Sequence, residues 1–535
     1  MNSSANRTAT TSLSVALLLL AALPAGCIAD TTRSPESTDT GLHSDIQQDT
    51  PDSADDPDQD GIPSSADLCP ENYDPRQNDW DKDGAGDACD PTIDLNESNA
   101  LVMRDLPVQE YSEIQLSSIG DFNADGYPDF AVGVPALDEE RGQVLLFSGG
   151  TLNAGTGSLS MADSTGTLRG EFENDLVGCE LNEVGDVNGD GFDDFAVLQC
   201  QRINRQGVHL ILGQENPNLT GRINNISEMK FAIARKGEIP NATILQLEAI
   251  DRGGMLDFAI ASWNWMRVIR VIPGSTSFPD DVGQGDLHFL DEWTMAASTI
   301  EIPEPTANDS PIQFAPLGDV DGNGILEFGM VDSLESNGPA VDVYMLSADE
   351  FPTEIGAAAT LASIAEGSEY PDGSKSPQFT SLGDLNGDGL ADFSFSEPGD
   401  ATTEVFFGST SGINVTDLSS PDTKILHSSN AQLLGGLDVN SDGFSDLIFA
   451  QDSALSVFSG NRSWGTEMSA SGPDGFDATV SFPSDSDVKS YAIESIKDFD
   501  GDNTAEFGIV LEGTDRDIDS GRIWVVDTDL PLQSH

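Results

Sequence analysis

Gly120-Asp121-Phe122-Asn123-Ala124-Asp125-Gly126-Tyr127-Pro128-Asp129-Phe130-Ala131-Val132-Gly133 is the stretch around which the chain is built. Its oxygens fall on alternate residues. Asp121, Asn123 and Asp125 hold loop positions 1, 3 and 5, the carbonyl of Tyr127 falls at position 7, and Asp129 holds position 9. Ca²⁺ takes roughly six to eight hard oxygen ligands, and a tight loop can turn alternate residues inward to supply them. Gly126 stands where the sharp turn resists a Cβ. An EF-hand would add a glutamate at position 12, but that residue is Val132. Phe130-Ala131-Val132 reads as a strand, not as an amphipathic helix. The stretch is therefore a calcium loop between β-strands. For a single copy the alternative is an Asx-rich turn in an acidic protein.

The pattern recurs. The second copy is Asp186, Asn188, Asp190, Phe192 and Asp194 around Gly191. The fourth is Asp319, Asp321, Asn323, Ile325 and Glu327 around Gly324. The fifth is Asp384, Asn386, Asp388, Leu390 and Asp392 around Gly389. The sixth is Asp438, Asn440, Asp442, Phe444 and Asp446 around Gly443. The seventh is Asp498, Asp500, Asp502, Thr504 and Glu506, with Asn503 in the glycine place; asparagine tolerates positive φ better than most residues. In each, the position-7 residue offers only its carbonyl. The third copy, Ala249 to Ala259, is two residues short and keeps only Asp251 and Asp257, so it reads as a unit that has lost its metal. Seven copies in register argue against the bland turn.

The first aspartates are 65, 65, 68, 65, 54 and 60 residues apart. A period of this size means stacked or radial units. Each unit has an apolar stretch entering the loop (114–119 in the first), a strand leaving it (130–134) and a further strand after a turn (142–147). A less regular fourth strand completes it. Later third strands are expected at 208–212, 267–272, 341–346, 404–407, 455–458 and 522–526. Four antiparallel strands repeated radially make an all-β propeller. Seven repeats predict seven blades, over residues 100–535. Residues 100–104 fit either an outer strand of the first blade or the completion of the last.

The order Gly-Asp-x-Asn-x-Asp-Gly-x-x-Asp-Phe-Ala-Val-Gly-x-Pro in residues 120–135 resembles the FG-GAP repeat of integrin α-subunit propellers. The resemblance covers roughly residues 105–530 and departs from the family in the degenerate third repeat. It implies a seven-bladed propeller with Ca²⁺ loops on one face, about six ions in all, and partner contacts on the other.

The start of the chain has a different character. Residues 1–26 resemble a signal peptide: Arg7 is the one charge, and Leu13 to Leu23 is too short an apolar run to span a bilayer. Pro24-Ala25-Gly26-Cys27 resembles a lipoprotein cleavage site, with Cys27 as the lipid acceptor. The alternative is ordinary cleavage. Residues 27–54, rich in Ser, Thr, Asp and Pro, read as a flexible tether. Residues 55–92 resemble a thrombospondin type 3 repeat, with Asp56-x-Asp58-x-Asp60-Gly61 and Asp79-x-Asp81-x-Asp83-Gly84-x-x-Asp87 flanking Cys69. The resemblance implies two or more Ca²⁺ held by those aspartates and a disulfide between Cys69 and Cys89. Cys179 and Cys200 flank the second loop on strands expected to neighbour each other. They read as a second disulfide or as two buried thiols. Five cysteines are odd, and Cys27 is the one left over. Two disulfides imply an oxidising compartment.

The chain carries 93 acids against 23 bases, a net charge of −70 at pH 7, which argues against a nucleic-acid or anionic-membrane face. The six intact loops account for 19 of these carboxylates, four of them in the seventh loop. No catalytic motif stands out: the five histidines (43, 209, 288, 427 and 535) lack metal-ligand spacing, and no nucleophile elbow or phosphate loop occurs. The expectation is a non-enzymatic, calcium-binding surface protein that contacts a protein or glycan partner. The alternative is a hydrolase or carbohydrate-binding protein, for which Trp263 and Trp265 would be a stacking platform unless they pack between blades.

Overall fold

In the computed structural model, the strands that leave the acidic loops are buried on both faces. Every residue of Asp129–Val134 and of Asp194–Gln199 is buried. Successive side chains of a strand point to opposite faces. Phe130 and Val132 therefore pack with Phe499 and Val510, whereas Ala131 packs with Val177 and Phe195. A strand with a neighbouring sheet on each side is apolar between its ends, which is why residues 130–134 and 195–198 lack polar alternation.

The structure describes residues 56–527 with short interruptions, the longer ones at 201–206, 233–241, 248–255, 263–267, 276–287, 290–297, 302–312, 335–339, 348–359, 365–377, 411–419 and 470–476. Residues 1–55, and with them the expected signal peptide, Cys27 and the whole tether, lie outside the described residues, as do Trp263 and Trp265. Among the described residues the chain is almost wholly β. The helical pieces are the short turns Leu137–Glu140, Met161–Asp163 and Ile223–Ile226, and no helix is long and apolar enough to cross a membrane.

The strands form seven sheets among the described residues. In the first, Gln115–Gly120, Asp129–Val134, Gln143–Phe147 and Gly166–Arg169 follow one another in antiparallel register. The third sheet (Ala242–Leu247, Asp257–Ser262, Val268–Ile272 and Ser298–Glu301) has the same order despite its degenerate repeat. The first strands of the first, second and third sheets touch in turn, as do those of the fourth to the seventh, and the first strand of the seventh sheet, Asp487–Lys497, touches Gln115–Gly120 of the first. Apolar clusters fill the spaces between sheets, not a single centre. This is the arrangement of a β-propeller.

The last sheet draws strands from both ends of the described chain. Leu101–Pro107 pairs antiparallel with Ile518–Asp527, with Leu101 opposite Val525 and Val102 opposite Trp524. Residues 100–104 thus complete the seventh sheet and are not an outer strand of the first. Glu512 accepts the backbone N–H of Ile114 at 2.6 Å, and the Arg104 guanidinium lies 5.5 Å over the Trp524 ring.

A further tie recurs. Five sheets gain a fifth, parallel edge strand from the segment that precedes the outer strand of the next sheet. Thr220–Arg222 adds to the first sheet, Met468–Ser469 to the fifth, and Gly157–Leu159 to the seventh. Thr92–Asp94 adds to the sixth beside Ala478–Ser481, so the chain just before the closing strand is itself stitched to the ring.

Candidate metal centres

Each acidic loop is wound by its own carboxylates. Asp121 accepts the N–H of Asp125 on Oδ1 (3.0 Å) and of Gly126 on Oδ2 (3.0 Å). Asn123 accepts from Asp125 (2.9 Å), and Asp125 accepts from Tyr127 (3.0 Å). The same bonds recur at Asp186, Asp384 and Asp438, and at Asp319 for the N–H groups of Asn323 and Gly324. Such short-range side-chain bonds favour turns over helix or ladder. They also aim the first, third and fifth side chains into one loop.

Two residues per loop are left-handed, where the sequence pattern singled out one. Position 6 is at φ +95° in Gly126 and +84° in Gly389. Position 4 is left-handed as well, at +75° in both Gly322 and Gly387, and at +54° and +55° in Ala124 and Ser441.

The ninth-position acid is buried: Asp129 is 2% exposed, and Asp194, Asp392, Asp446 and Glu506 are fully enclosed. It ties the loop to the sheet. Asp392 accepts the N–H of Leu385 and of Gly408, each at 2.8 Å, and Asp194 and Asp446 bind the matching pairs. Asp129 accepts from Gly149 at 2.8 Å on Oδ1, while its Oδ2 is buried without a hydrogen-bond partner. Burial pushes Asp129, Asp194, Asp392 and Asp446 up to about 7, against the pull of these amides, and the loop carboxylates at positions 1 and 5 push the same way. A carboxyl group in this position keeps its proton well above the ordinary carboxylate range and is costly to ionise unless a cation joins it.

The donors suit a hard divalent cation. Asp319, Asp321 and Glu327 bring one oxygen each within 4.8 Å of one another, as do Asp498, Asp500 and Glu506. All donors are oxygens, the set that favours Ca²⁺ over thiolate- or imidazole-seeking metals. Asp251, Ile325, Asp502 and Thr504 lie outside the described residues. Asp257 begins its strand at the place that the ninth acid takes elsewhere.

The N-terminal segment repeats the winding. Asp56 accepts from Gly61 (3.2 Å), and Asp79 accepts from Asp83 (3.1 Å) and Gly84 (3.1 Å). Asp56, Asp58 and Asp60 also bring oxygens within 4.8 Å of one another. Asp81 and Asp87 lie outside the described residues. Cys69–Cys89 and Cys179–Cys200 are both disulfide-bonded, with Cα atoms 5.6 and 6.1 Å apart; neither cysteine of the second pair is a free thiol.

Residues 116–147 match the family profile of the FG-GAP repeat. The matched FG-GAP stretch spans the first three strands of the first sheet and the loop of Asp121. Among solved structures, the chain is similar to BBS1N in complex with ARL6DN, at 11% identity over 78% of this chain and 94% of that chain, with a TM-score of 0.40. It is also similar to the WD40 domain of SCAP from fission yeast, at 8% identity over 80% of this chain and 88% of that chain, with a TM-score of 0.33.

One class of residue escaped the sequence reading. Glycines before position 1 and at position 4 have no room for a Cβ, because side chains of the following loop fill the space. Asp193 occupies the space at Gly120, Ala391 that at Gly318 and Ser445 that at Gly383. Leu390 packs on Gly322, Phe444 on Gly387, and Tyr127 of the first loop on Gly501 of the seventh. Around the position-6 glycines a Cβ would meet nothing, so backbone conformation alone explains them. The repeated glycines were the available signal, but only the spatial neighbour explains them.

Proposed function

We propose that the seven sheets are seven blades of a closed FG-GAP propeller, and that the chain is a calcium-stabilised interaction module displayed outside the cell. The observation that supports this most is the recurrence of one oxygen-donor loop at the same end of six sheets, wound by its own carboxylates in the five loops whose first six positions are described. Asp, Asn and carbonyl oxygens at positions 1, 3, 5, 7 and 9 would hold about six Ca²⁺ in the propeller, and the aspartates of residues 55–92 two or more. The ion would supply the positive charge that the buried ninth acid lacks. The chain's own residues orient the donors and seal the loop base from water.

On this reading the protein is not an enzyme. A rigid ring presents the loops opposite the calcium end to a protein or glycan. The two disulfides support an exported location, and Cys27 would carry a lipid that holds the module at the cell surface through the tether.

The test is a thermal melt of the purified protein in calcium and in chelator, with bound metal counted in parallel. A large upward shift with at least six ions bound supports the proposal. No shift with fewer than two ions bound overturns it. Turnover of polysaccharide or phospholipid substrates would replace the non-enzymatic reading with a hydrolase.

A further inference from the structure

The loops at this end of the propeller are not separate. The carbonyl of position 1 in one loop accepts the N–H of position 8 in the next. Asp121 accepts from Asp193 (3.2 Å), Asp319 from Ala391 (2.9 Å) and Asp384 from Ser445 (2.9 Å). The carbonyl of position 2 accepts from the turn after the third strand of the next sheet. Phe122 accepts from Gln214 (2.9 Å), Val187 from Ser275 (2.8 Å), Val320 from Ser409 (2.8 Å) and Phe499 from Gly150 (2.6 Å). At Leu385 the indole N–H of Trp464 takes that part, at 3.4 Å.

Position 2 is clamped three ways. Its side chain is buried, with Leu385, Val320 and Phe499 fully enclosed. In five loops its N–H goes to the ninth acid of its own loop, as Leu385 to Asp392 (2.8 Å), Val320 to Glu327 (3.0 Å) and Phe499 to Glu506 (2.8 Å), whereas in the first loop Phe122 donates to the Gly120 carbonyl (3.0 Å). Its carbonyl belongs to the next sheet. Anything that orders the ninth acid therefore orders position 2, and through it the seat of the following loop. The side chains at positions 7 and 8 that pack on the preceding loop's glycines add a second route.

We infer that the calcium loops load as one coupled array, in which an ion in one loop raises the affinity of the loops beside it. This rests on the calcium reading above. Two physical terms oppose each other. Cations in neighbouring loops repel, so preformed and independent sites would bind with a Hill coefficient of 1 or below. Shared ordering acts the other way: the first ion bears the cost of fixing a seat that the next ion finds already made.

The test is a calcium titration of the full chain, stripped of metal, followed by calorimetry and by hydrogen exchange at the amides of Ala391 and Ser445. The array predicts a Hill coefficient of about 2 or more, because coupling through shared order favours all-or-none filling. It also predicts that both amides gain protection at one common calcium midpoint. Ser445→Leu drives bulk into the seat on Gly383 and leaves every proposed ligand in place. It is expected to lower the Hill coefficient toward 1 and raise the calcium midpoint several-fold. Trp464→Ala, which removes the donor to Leu385, serves if that variant does not fold. A Hill coefficient of 1 or below in the unaltered chain overturns the array while leaving the calcium sites standing, as does an unchanged titration in a folded junction variant. Absence of bound calcium removes both readings.

Discussion

The carboxylate of Asp193 accepts the backbone N–H of Asp121 at 2.8 Å, across 72 residues of sequence and from a different sheet. The bond places an acid of the second loop in the seat that Gly120 leaves open in the first. Asp193→Ala should destabilise the protein by about 1–2 kcal/mol, the cost of stranding a half-buried amide. Asp193→Asn, which keeps an acceptor oxygen, should lose much less. Denaturant titration of both variants measures the difference.

Asp129 is the cleanest probe of the buried acids, because one oxygen takes the Gly149 amide and the other has no hydrogen-bond partner. Its folded value, about 7, lies above the ordinary carboxylate value of 3.8. Between these two values the folded chain holds a proton that the unfolded chain has released. In chelator, stability should therefore fall as pH rises through that window. Asp129→Asn should make the dependence shallower by one acid's share, with Asp194, Asp392 and Asp446 keeping theirs, and should cost little in chelator at pH 8, yet cost about 2 kcal/mol or more in saturating calcium, where a ligand is lost. Melts at several pH values, with and without calcium, report both signs.

The seventh sheet is completed by Leu101–Pro107. Val102 and Trp524, opposite each other in the seventh sheet, are both fully buried. Trp524→Ala should cost about 3–5 kcal/mol as a large core truncation. A chain that begins at residue 110 should lose cooperative unfolding, because Ile518–Asp527 is left as an open apolar edge. A chain that begins at residue 98 keeps the closing strand and should still unfold cooperatively. Circular dichroism melts and size-exclusion chromatography separate these outcomes.

The Cys179–Cys200 disulfide joins the entering strand of the second loop to the end of the strand that leaves it, 21 residues apart. Removing it as the double alanine variant should cost about 2–4 kcal/mol, chiefly by freeing the unfolded chain. Calcium should recover part of that loss by holding the same hairpin from its loop end. A melt of the variant across calcium concentrations checks both statements.

Much of this molecule was legible in its sequence. The loops announce themselves because oxygen-bearing residues on alternate positions and a glycine at position 6 fall within nine residues of chain, a pattern set by short-range bonds. The strands after the loops were legible because burial on both faces favours an unbroken apolar run, as in residues 130–134. The pairing of Cys179 with Cys200 followed from their places on neighbouring strands of one hairpin.

What remained hidden depends on neighbours about sixty or more residues away. Nothing local distinguishes Gly387, whose Cβ position is taken by Phe444, from Gly389, which is glycine for its φ alone. Residues 100–104 are a plausible strand in either of two sheets, and only the edge offered by Ile518–Asp527 decides between them. The ninth acids look like simple ligands in the repeat, but packing of adjacent sheets buries them and commits at least one oxygen of each to a backbone amide. By itself the sequence determined the repeating unit, because the unit is set by short-range hydrogen bonds and apolar pattern. Only the tertiary structure decided how the units join, because each junction pairs an unfilled space in one repeat with a side chain supplied by the next.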